Sequence, residues 1–502
     1  MSLRQNILAS YISQAYVTLI GIVMVPVYLR YMGAEAYGLV GFFAMVQAWF
    51  QLMDMGLTPT MAREAARFNG GVGDASSLRH LLRAMETIFI GVAMLGAVAM
   101  MAASGSIATD WLKVQHLPLA EVQHALMLIA MIVALRWVSG LYRSALNGFE
   151  RLVWLGGFNM VLATARFVLV IPLFVYVGTS ARVFFSYQLF LAVLELAVLV
   201  RQTYRLLPAQ LTEVQKAFQY APLRGVLMFS LSIALSSVVW ILATQADKLI
   251  LSKLLPLTEY GYYTLVVLVA GGVQAISGPV SGALLPRLAK LAAAADETGL
   301  LSLYRSATQW VTVMAVPAAL VLALFSRQVL WAWTGNRQLV ETAAPVLALY
   351  AAGSGVSVIA AFPYYLQYAR GELKLHLLGN LLFVLLLIPS LIGATQQFGM
   401  LGAAWVWLTL NLSYLLLWVP LAHYRFAPGL HWTWIMKDVL LTSIPAIVAA
   451  LLLQYTAPWP DGRSAMAIQL CGVGLLLCCI TATSSSKVRE IISHRLNPVG
   501  IA

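Results

Sequence analysis

The sequence predicts an all-α integral membrane protein, and three observations support this prediction. Hydrophobic residues make up 61% of the 502 residues and charged residues only 10%, whereas a soluble domain carries about 25% charge. Apolar runs of about 20 residues, the length that a helix needs to cross ~30 Å of hydrocarbon, recur along the whole chain. The alternating apolar and polar segments that are typical of a membrane β-barrel are not found.

These runs predict 14 transmembrane helices in four regions. Residues 1–204 and 226–425 each form a six-helix bundle, residues 205–225 form a cytoplasmic linker, and residues 426–502 add two helices and a cytoplasmic tail. The predicted helices lie near residues 10–29, 37–57, 82–103, 122–146, 153–176, 183–203, 226–250, 261–284, 307–330, 342–367, 376–394, 400–422, 438–455 and 466–483.

The two bundles are predicted to be repeats, because short motifs return after a nearly constant interval. Tyr37-Gly38 returns as Tyr260-Gly261, 223 residues later, and Glu150 returns as Glu372, 222 residues later. Each repeat holds an even number of helices, so both enter the membrane from the same side. We therefore expect a pseudo-two-fold axis along the membrane normal, with a cavity between two bundles that can rock.

The basic residues predict that both termini lie in the cytoplasm. Lys and Arg residues number 21 on the side that holds the termini, Arg143 among them, and 8 on the other side. Such an excess marks the cytoplasmic side of a membrane protein. The first apolar run, residues 7–27, is too long for a signal-peptide core and lacks a cleavage site, so we interpret it as a retained helix.

Arg136 and Arg166 are the two basic residues counted on neither side, because they fall well inside predicted helices. Both lie 14–15 residues from the turn at Glu150-Arg151, which places them about 21–23 Å from it along neighbouring helices. Two guanidinium groups then share one depth near the bilayer centre, where each costs roughly 2.5–3.5 kcal/mol. An anionic substrate between them would offset this cost.

The second repeat has Val358 and an uncharged run at the corresponding positions, which argues against a purely architectural role for the arginines. The alternative is that backbone carbonyls, Glu195 or Glu86 satisfy each arginine. We predict that the pair binds substrate.

Further candidates for substrate contact are polar residues inside or at the ends of helices: Asp54, Gln51, Asp247, Lys248 and Gln274. Each has a simpler interpretation. Asp54 sits where an Asp-x-Gly often only caps a helix, Asp247 and Lys248 are adjacent enough to pair, and glutamines often only join helices.

Pro26 and Gly278-Pro279 are predicted hinges, because proline removes a helix hydrogen bond; close packing of small residues is the alternative. Pro172 and Pro363 are further helix breakers.

The chain lacks a P-loop, paired His ligands, a nucleophile elbow and a dinucleotide loop. Cys471, Cys478 and Cys479 lie together in the last apolar run without a metal or disulfide pattern. We therefore predict a transporter rather than an enzyme, without a metal or cofactor. Proton or sodium coupling stays open, since Asp54, Glu86, Glu195 and Asp247 could each carry a proton.

Several motifs together resemble the Wzx-type polysaccharide and O-antigen flippases, in the superfamily that also holds the MATE exporters and the MurJ lipid II flippases. The resemblance covers roughly residues 1–425 and is carried by Tyr31-Met32-Gly33, Tyr37-Gly38, Asp54-x-Gly56-Leu57, Arg63-Glu64, Asp247-Lys248 and Tyr260-Gly261.

This resemblance implies a bacterial inner-membrane flippase, working as a monomer beside a polysaccharide polymerase and other assembly proteins. Its substrate would be a polyprenyl-pyrophosphate-linked oligosaccharide for O-antigen, capsule or exopolysaccharide synthesis. The alternatives are a MATE-like cation-coupled exporter, a MurJ-like lipid II flippase and a membrane-embedded polymerase or glycosyltransferase. Mid-membrane arginines argue against an exporter of cations, and the short loops argue against a polymerase.

Overall fold

A computed structural model describes residues 3–54, 57–71, 75–207, 238–239 and 241–490. Within these ranges the chain is helical and forms no strand, apart from one isolated bridge between Lys113 and Pro256. The helices of the first half are α1 Leu3–Phe50, α2 Leu57–Asn69, α3 Ala75–Ser106, α4 Leu119–Gly148, α5 Leu152–Phe167, α6 Val170–Tyr176, α7 Ala181–Leu206 and α8, residues 241–254.

The remaining helices alternate between long spans and short segments. They are α9 Leu257–Ala275, α10 Ser277–Ala293, α11 Glu297–Leu324, α12 Ser326–Thr334, α13 Arg337–Ala360, α14 Phe362–Ala369, α15 Lys374–Ser413, α16 Val419–Phe426, α17 Leu430–Thr433, α18 Leu441–Thr456 and α19 Arg463–Ser484. Wider helical turns lie at Ile107–Trp111, Tyr414–Trp418 and Trp434–Leu440, and a tight 3₁₀ turn lies at Gln51–Asp54.

Ten helical stretches of the described residues are long and apolar enough to cross a membrane, so the chain is a multi-pass membrane protein. Two of these stretches contain a residue with non-helical backbone angles, Gly33 with φ 82° in α1 and Gly399 with φ 58° in α15. Both glycines lie between spans that the sequence predicted to be separate. The count of 14 stays a prediction, since residues 208–237 lie outside the described ranges.

Three of the predicted helix breakers occupy the first turn of a new helix. Pro172 is the third residue of α6, Pro279 the third of α10 and Pro363 the second of α14. Proline is tolerated there because the first amides of a helix have no partner within it. Pro26, in contrast, lies inside the continuous part of α1, and the chain departs from helical angles only at Gly33.

The contacts between residues divide the chain into two compact units, Met1–Gly261 and Tyr262–Ala502. The predicted linker at 205–225 lies mostly outside the described residues, so the predicted domain boundaries stay predictions. In the first unit α4 is central: it packs against α2, α3 and α7, and much of its length is buried. Polar side chains on α4 must therefore find partners inside the protein.

In the second unit α11 packs against α13, α18 and α19. The helices α18 and α19 correspond to the predicted terminal pair. They bury Ala446, Leu470 and Leu477 in one cluster with Phe325, so they form part of the packed second unit.

The repeated Tyr-Gly motifs meet each other in the first unit. A Cβ atom on Gly38 would lie 2.4 Å from the carbonyl oxygen of Leu257, and one on Gly261 would lie 2.6 Å from that of Ala34. Neither backbone oxygen can move without shifting its helix, so these positions need glycine for close approach.

The loop that precedes α4 makes hydrogen bonds near the contact between the two Tyr-Gly motifs. The carboxylate of Glu35 accepts hydrogen bonds from the backbone amides of Gln115, His116 and Leu117 at 2.5–3.1 Å. The ammonium group of Lys113 donates to the carbonyl of Leu254 at 2.8 Å. Within the first unit, these bonds tie the loop before α4 to α1 and to the segment before α9.

Candidate functional site: a buried arginine cluster

Two arginines of α4 lie on one face of that helix. Arg136 and Arg143 are seven residues apart, which is close to two turns of helix. Arg143 is one of the basic residues counted on the side of the termini, and it lies inside α4, which continues to Gly148.

Arg136 is held by amides and an aromatic ring. Its Nη1 donates to Oε1 of Gln47 at 3.3 Å and its Nη2 to Oε1 of Gln188 at 2.9 Å. The guanidinium carbon lies 4.9 Å from the ring centroid of Phe43. Its Nε is buried and has no hydrogen-bond acceptor among the described residues. Among the described residues, the hydrogen-bond partners of Arg136 are therefore amides and not a carboxylate.

Arg143 and Arg166 share the carboxylate of Glu195 on α7. Oε1 accepts from Nη2 of Arg143 at 2.5 Å and from its Nε at 3.2 Å, while Oε2 accepts from Nη2 of Arg166. The Glu195 side chain is 3% exposed, whereas those of Arg143 and Arg166 are 25% and 20% exposed. The alternative interpretation of Arg166, that Glu195 satisfies its charge, therefore matches the observed contact.

The cluster carries more positive than negative charge. Arg136, Arg143 and Arg166 act electrostatically on one another and on Glu195, which gives a formal charge of +2 for these four residues. The Nε of Arg166, like that of Arg136, is buried without an acceptor among the described residues. Glu86 is not an acceptor for either arginine. Its carboxylate instead accepts hydrogen bonds from the hydroxyls of Tyr142 and Tyr204 at 2.8–2.9 Å. A surplus of charge and donors of this kind favours an anion.

The end of α5 positions Arg166 beside Arg136. The helix stops at Phe167, and the carbonyls before the break accept side-chain donors: Tyr187 bonds to Ala165 at 2.9 Å and Gln188 to Arg166 at 3.1 Å. Released carbonyls in a membrane need such partners. Gln188 also accepts from Arg136, so one amide joins the two arginines that the sequence predicted to share a depth.

Asp54 and Gln51 lie in the 3₁₀ turn after α1. The Asp54 carboxylate accepts from the backbone amide of Thr58 at 3.1 Å and from its hydroxyl, which is the capping role considered as an alternative. Gln51 is exposed. The predicted role of both residues in substrate contact stays a prediction.

The other predicted residues lie outside the arginine cluster. Lys248 donates to the carbonyl of Thr244 at 2.8 Å and lies 3.5 Å from the carboxylate of Asp247, which is 6% exposed; this is the internal ion pair considered as an alternative. Gln274 lies near the end of α9, and its backbone carbonyl accepts from the hydroxyl of Ser277 at 2.8 Å. No group of three or more potential metal ligands occurs among the described residues.

Sequence reasoning missed Arg143, Gln188 and Asn159 as members of the cluster. Asn159 accepts from Nη1 of Arg143. The seven-residue spacing of Arg136 and Arg143 was available in the sequence and could have identified Arg143. The two amides carry no comparable signal, because polar residues of this type recur throughout the chain.

The fold and this site define a multi-pass membrane protein with a buried cationic cluster in its first unit. Solved structures of other proteins share the fold, among them the following three. A lipid II flippase MurJ in an inward closed conformation has a TM-score of 0.73 at 14% identity, covering 96% of this chain and 99% of that chain. A multidrug resistance MATE transporter of the MOP superfamily, facing inward, has a TM-score of 0.65 at 14% identity, covering 82% of this chain and 94% of that chain. A MOP superfamily transporter from Pyrococcus furiosus has a TM-score of 0.54 at 13% identity, covering 84% of this chain and 95% of that chain.

A family model described as polysaccharide biosynthesis protein matches residues 3–292. The chain therefore belongs to this family, and the family resemblance found in its sequence motifs is confirmed. Comparison with curated proteins gives no match.

Proposed function

We propose that this protein is a flippase that moves a polyprenyl-pyrophosphate-linked oligosaccharide across the bacterial inner membrane by alternating access. The product would serve O-antigen, capsule or exopolysaccharide synthesis. The observation that carries this proposal is the arginine cluster of charge +2 in the first unit. Membership of the polysaccharide biosynthesis family and the MOP-type fold support the same class.

The chemistry of the cluster suits a pyrophosphate. A pyrophosphate diester carries two negative charges and many acceptor oxygens, and guanidinium groups bind phosphate oxygens by paired hydrogen bonds. Arg136 and Arg166 each have a buried Nε donor that lacks an acceptor among the described residues. Arg143 and Arg166 are partly exposed, so an anion can reach them.

Two alternatives differ in substrate. A MATE-like exporter of cations would be disfavoured by three arginines and one carboxylate in the cluster. A lipid II flippase would use the same pyrophosphate chemistry, and the family match favours a polysaccharide repeat unit instead. The predicted substrate contacts of Asp54, Gln51, Asp247, Lys248 and Gln274 are secondary in this proposal.

The proposed orientation has both termini in the cytoplasm, on the basis of the 21-to-8 distribution of basic residues. We expect a reporter that is active only in the periplasm to be inactive when it is fused to the C-terminus. An active fusion, with the protein at normal level, would contradict the orientation.

Transport itself is testable with the purified full-length protein in liposomes. The probe is a short polyprenyl pyrophosphate that carries a fluorescent sugar, and its loss from the outer leaflet is followed by quenching. We expect translocation of this probe above that of protein-free liposomes, and none of a cationic dye. Movement of the dye alone would favour the exporter, and faster movement of lipid II would favour the lipid II flippase.

A further inference from the structure

Glu195 lies deeper in the protein than the two arginines that it joins. Its side chain is 3% exposed, against 25% and 20% for Arg143 and Arg166. Each carboxylate oxygen bonds to a different arginine, and those arginines belong to different helices, α4 and α5. An anion that approaches from the exposed side therefore meets the guanidinium groups before it meets Glu195.

Glu195 is expected to keep its partners when such an anion binds. Displacing it would leave a buried, unpaired carboxylate, and breaking a buried ion pair in this way is strongly unfavourable. Binding beside the pair leaves both of its bonds intact. The bound anion then faces four charged side chains with a formal sum of +2 rather than three arginines with +3.

The charge of the carrier lipid depends on whether it carries a sugar. A pyrophosphate diester, with sugar attached, has two negative charges. A free polyprenyl pyrophosphate has a terminal phosphate whose second pKa is about 6, so it carries about three negative charges at pH 8.

We infer that Glu195 sets the charge of the arginine cluster to match the diester, so that the site prefers the sugar-bearing carrier over the free polyprenyl pyrophosphate. This inference rests on the proposed function. Glu195 acts through Arg143 and Arg166 as a positioning residue that determines specificity. With the site at +2, a bound dianion leaves no net charge, whereas a bound trianion leaves a buried, uncompensated negative charge, which is unfavourable. A site of +3 compensates the trianion fully, so it would lose the preference.

The test compares the affinities of two probes, farnesyl pyrophosphate and its glucose ester, for the full-length protein in nanodiscs at pH 8. We expect the wild type to bind the ester more tightly. Glu195→Gln should shift the ratio of affinities toward farnesyl pyrophosphate by about tenfold. The double variant Glu195→Gln, Arg143→Gln has a formal charge of +2 again and should return the ratio toward the wild-type value, even if both affinities fall.

A merely structural role for Glu195 would lower both affinities equally, and an unchanged ratio in Glu195→Gln would overturn the inference. If that variant fails to fold, Arg143→Gln, with a formal charge of +1, should shift the ratio in the opposite direction, and no shift there would also overturn it. The proposed function fails separately if Arg136→Gln, Arg143→Gln and Arg166→Gln all bind both probes as the wild type does.

Discussion

Replacing Arg136 and Arg166 together by glutamine is expected to abolish polysaccharide export, and each single glutamine variant is expected to nearly abolish it. Removing one partner from a buried hydrogen-bonded charge pair costs about 2–5 kcal/mol, which corresponds to roughly 30-fold or more in affinity. The double variant would leave Arg143 and Glu195, a neutral pair, where the wild type has a formal charge of +2. A site without net charge has little attraction for a pyrophosphate.

Lysine is expected to weaken transport at either position rather than replace arginine. Arg136 bonds to Gln47 and Gln188 with separate nitrogens of one planar group. A lysine ammonium is a compact point charge on a flexible stem and does not reproduce this fork. The predicted order of export is therefore wild type, then lysine variants, then glutamine variants.

The measurement is complementation of polysaccharide export in a strain that lacks the gene, with protein level and thermal stability checked for each variant. Arg67→Gln is a matched control, because it makes the same chemical change at an exposed arginine that pairs with Glu64 at 3.2 Å. Exposed pairs of this kind contribute about 0–1 kcal/mol, so the control should export normally. Full export by the double glutamine variant would reject the role of the cluster.

The second large effect is expected at the break between α9 and α10. The double variant Gly278→Ala, Pro279→Ala should slow transport about tenfold while it leaves binding of the pyrophosphate probe nearly unchanged, since gating motions of this kind often limit turnover. The break separates Ala275 from Ser277 and contains only Ile276, whose backbone angles are helical at φ −61° and ψ −35°. A small change is therefore enough to join the two helices.

The two substitutions act on this break in different ways. An alanine at position 279 supplies a backbone amide that can bond to the carbonyl of Ala275, which proline does not allow. An alanine at position 278 favours helix by about 1 kcal/mol over glycine. Among the described residues, and apart from its chain neighbours and the nearby backbone of its own helix, no atom lies within 4 Å of a Cβ built on Gly278. The same holds for Gly271 and Gly272, which weakens the alternative that small residues serve close packing here.

Gly271→Ala, Gly272→Ala is the matched control, because these glycines lie at open positions of the adjoining helix α9, away from the break. We expect transport near the wild-type rate from this control. The rates come from the liposome assay with the fluorescent probe, and binding is measured in nanodiscs. Equal transport by the variant with the altered break and the wild type would show that the break is not a hinge.

The sequence by itself determined the class of this protein. Its low charge and repeated apolar runs require helices in a membrane, because unpaired backbone groups and charges are costly there. The same cost made Arg136 and Arg166 conspicuous, and a helix has a fixed rise per residue, so spacing alone predicted that they share a depth. Proline chemistry likewise located the breaks before Pro172, Pro279 and Pro363, since a missing amide is a local property.

Only the tertiary structure decided which side chains meet. Sequence spacing did not assign Glu195 to Arg143 and Arg166, or bring Gln188 to Arg136, because these partners lie 29–52 residues apart along the chain. It did not show that Tyr37-Gly38 packs on the segment that contains Gly261. The departure from helical angles at Gly33 rather than at Pro26 was also decided by the fold. Such contacts depend on how several helices pack at once, and no local pattern in the chain encodes that packing.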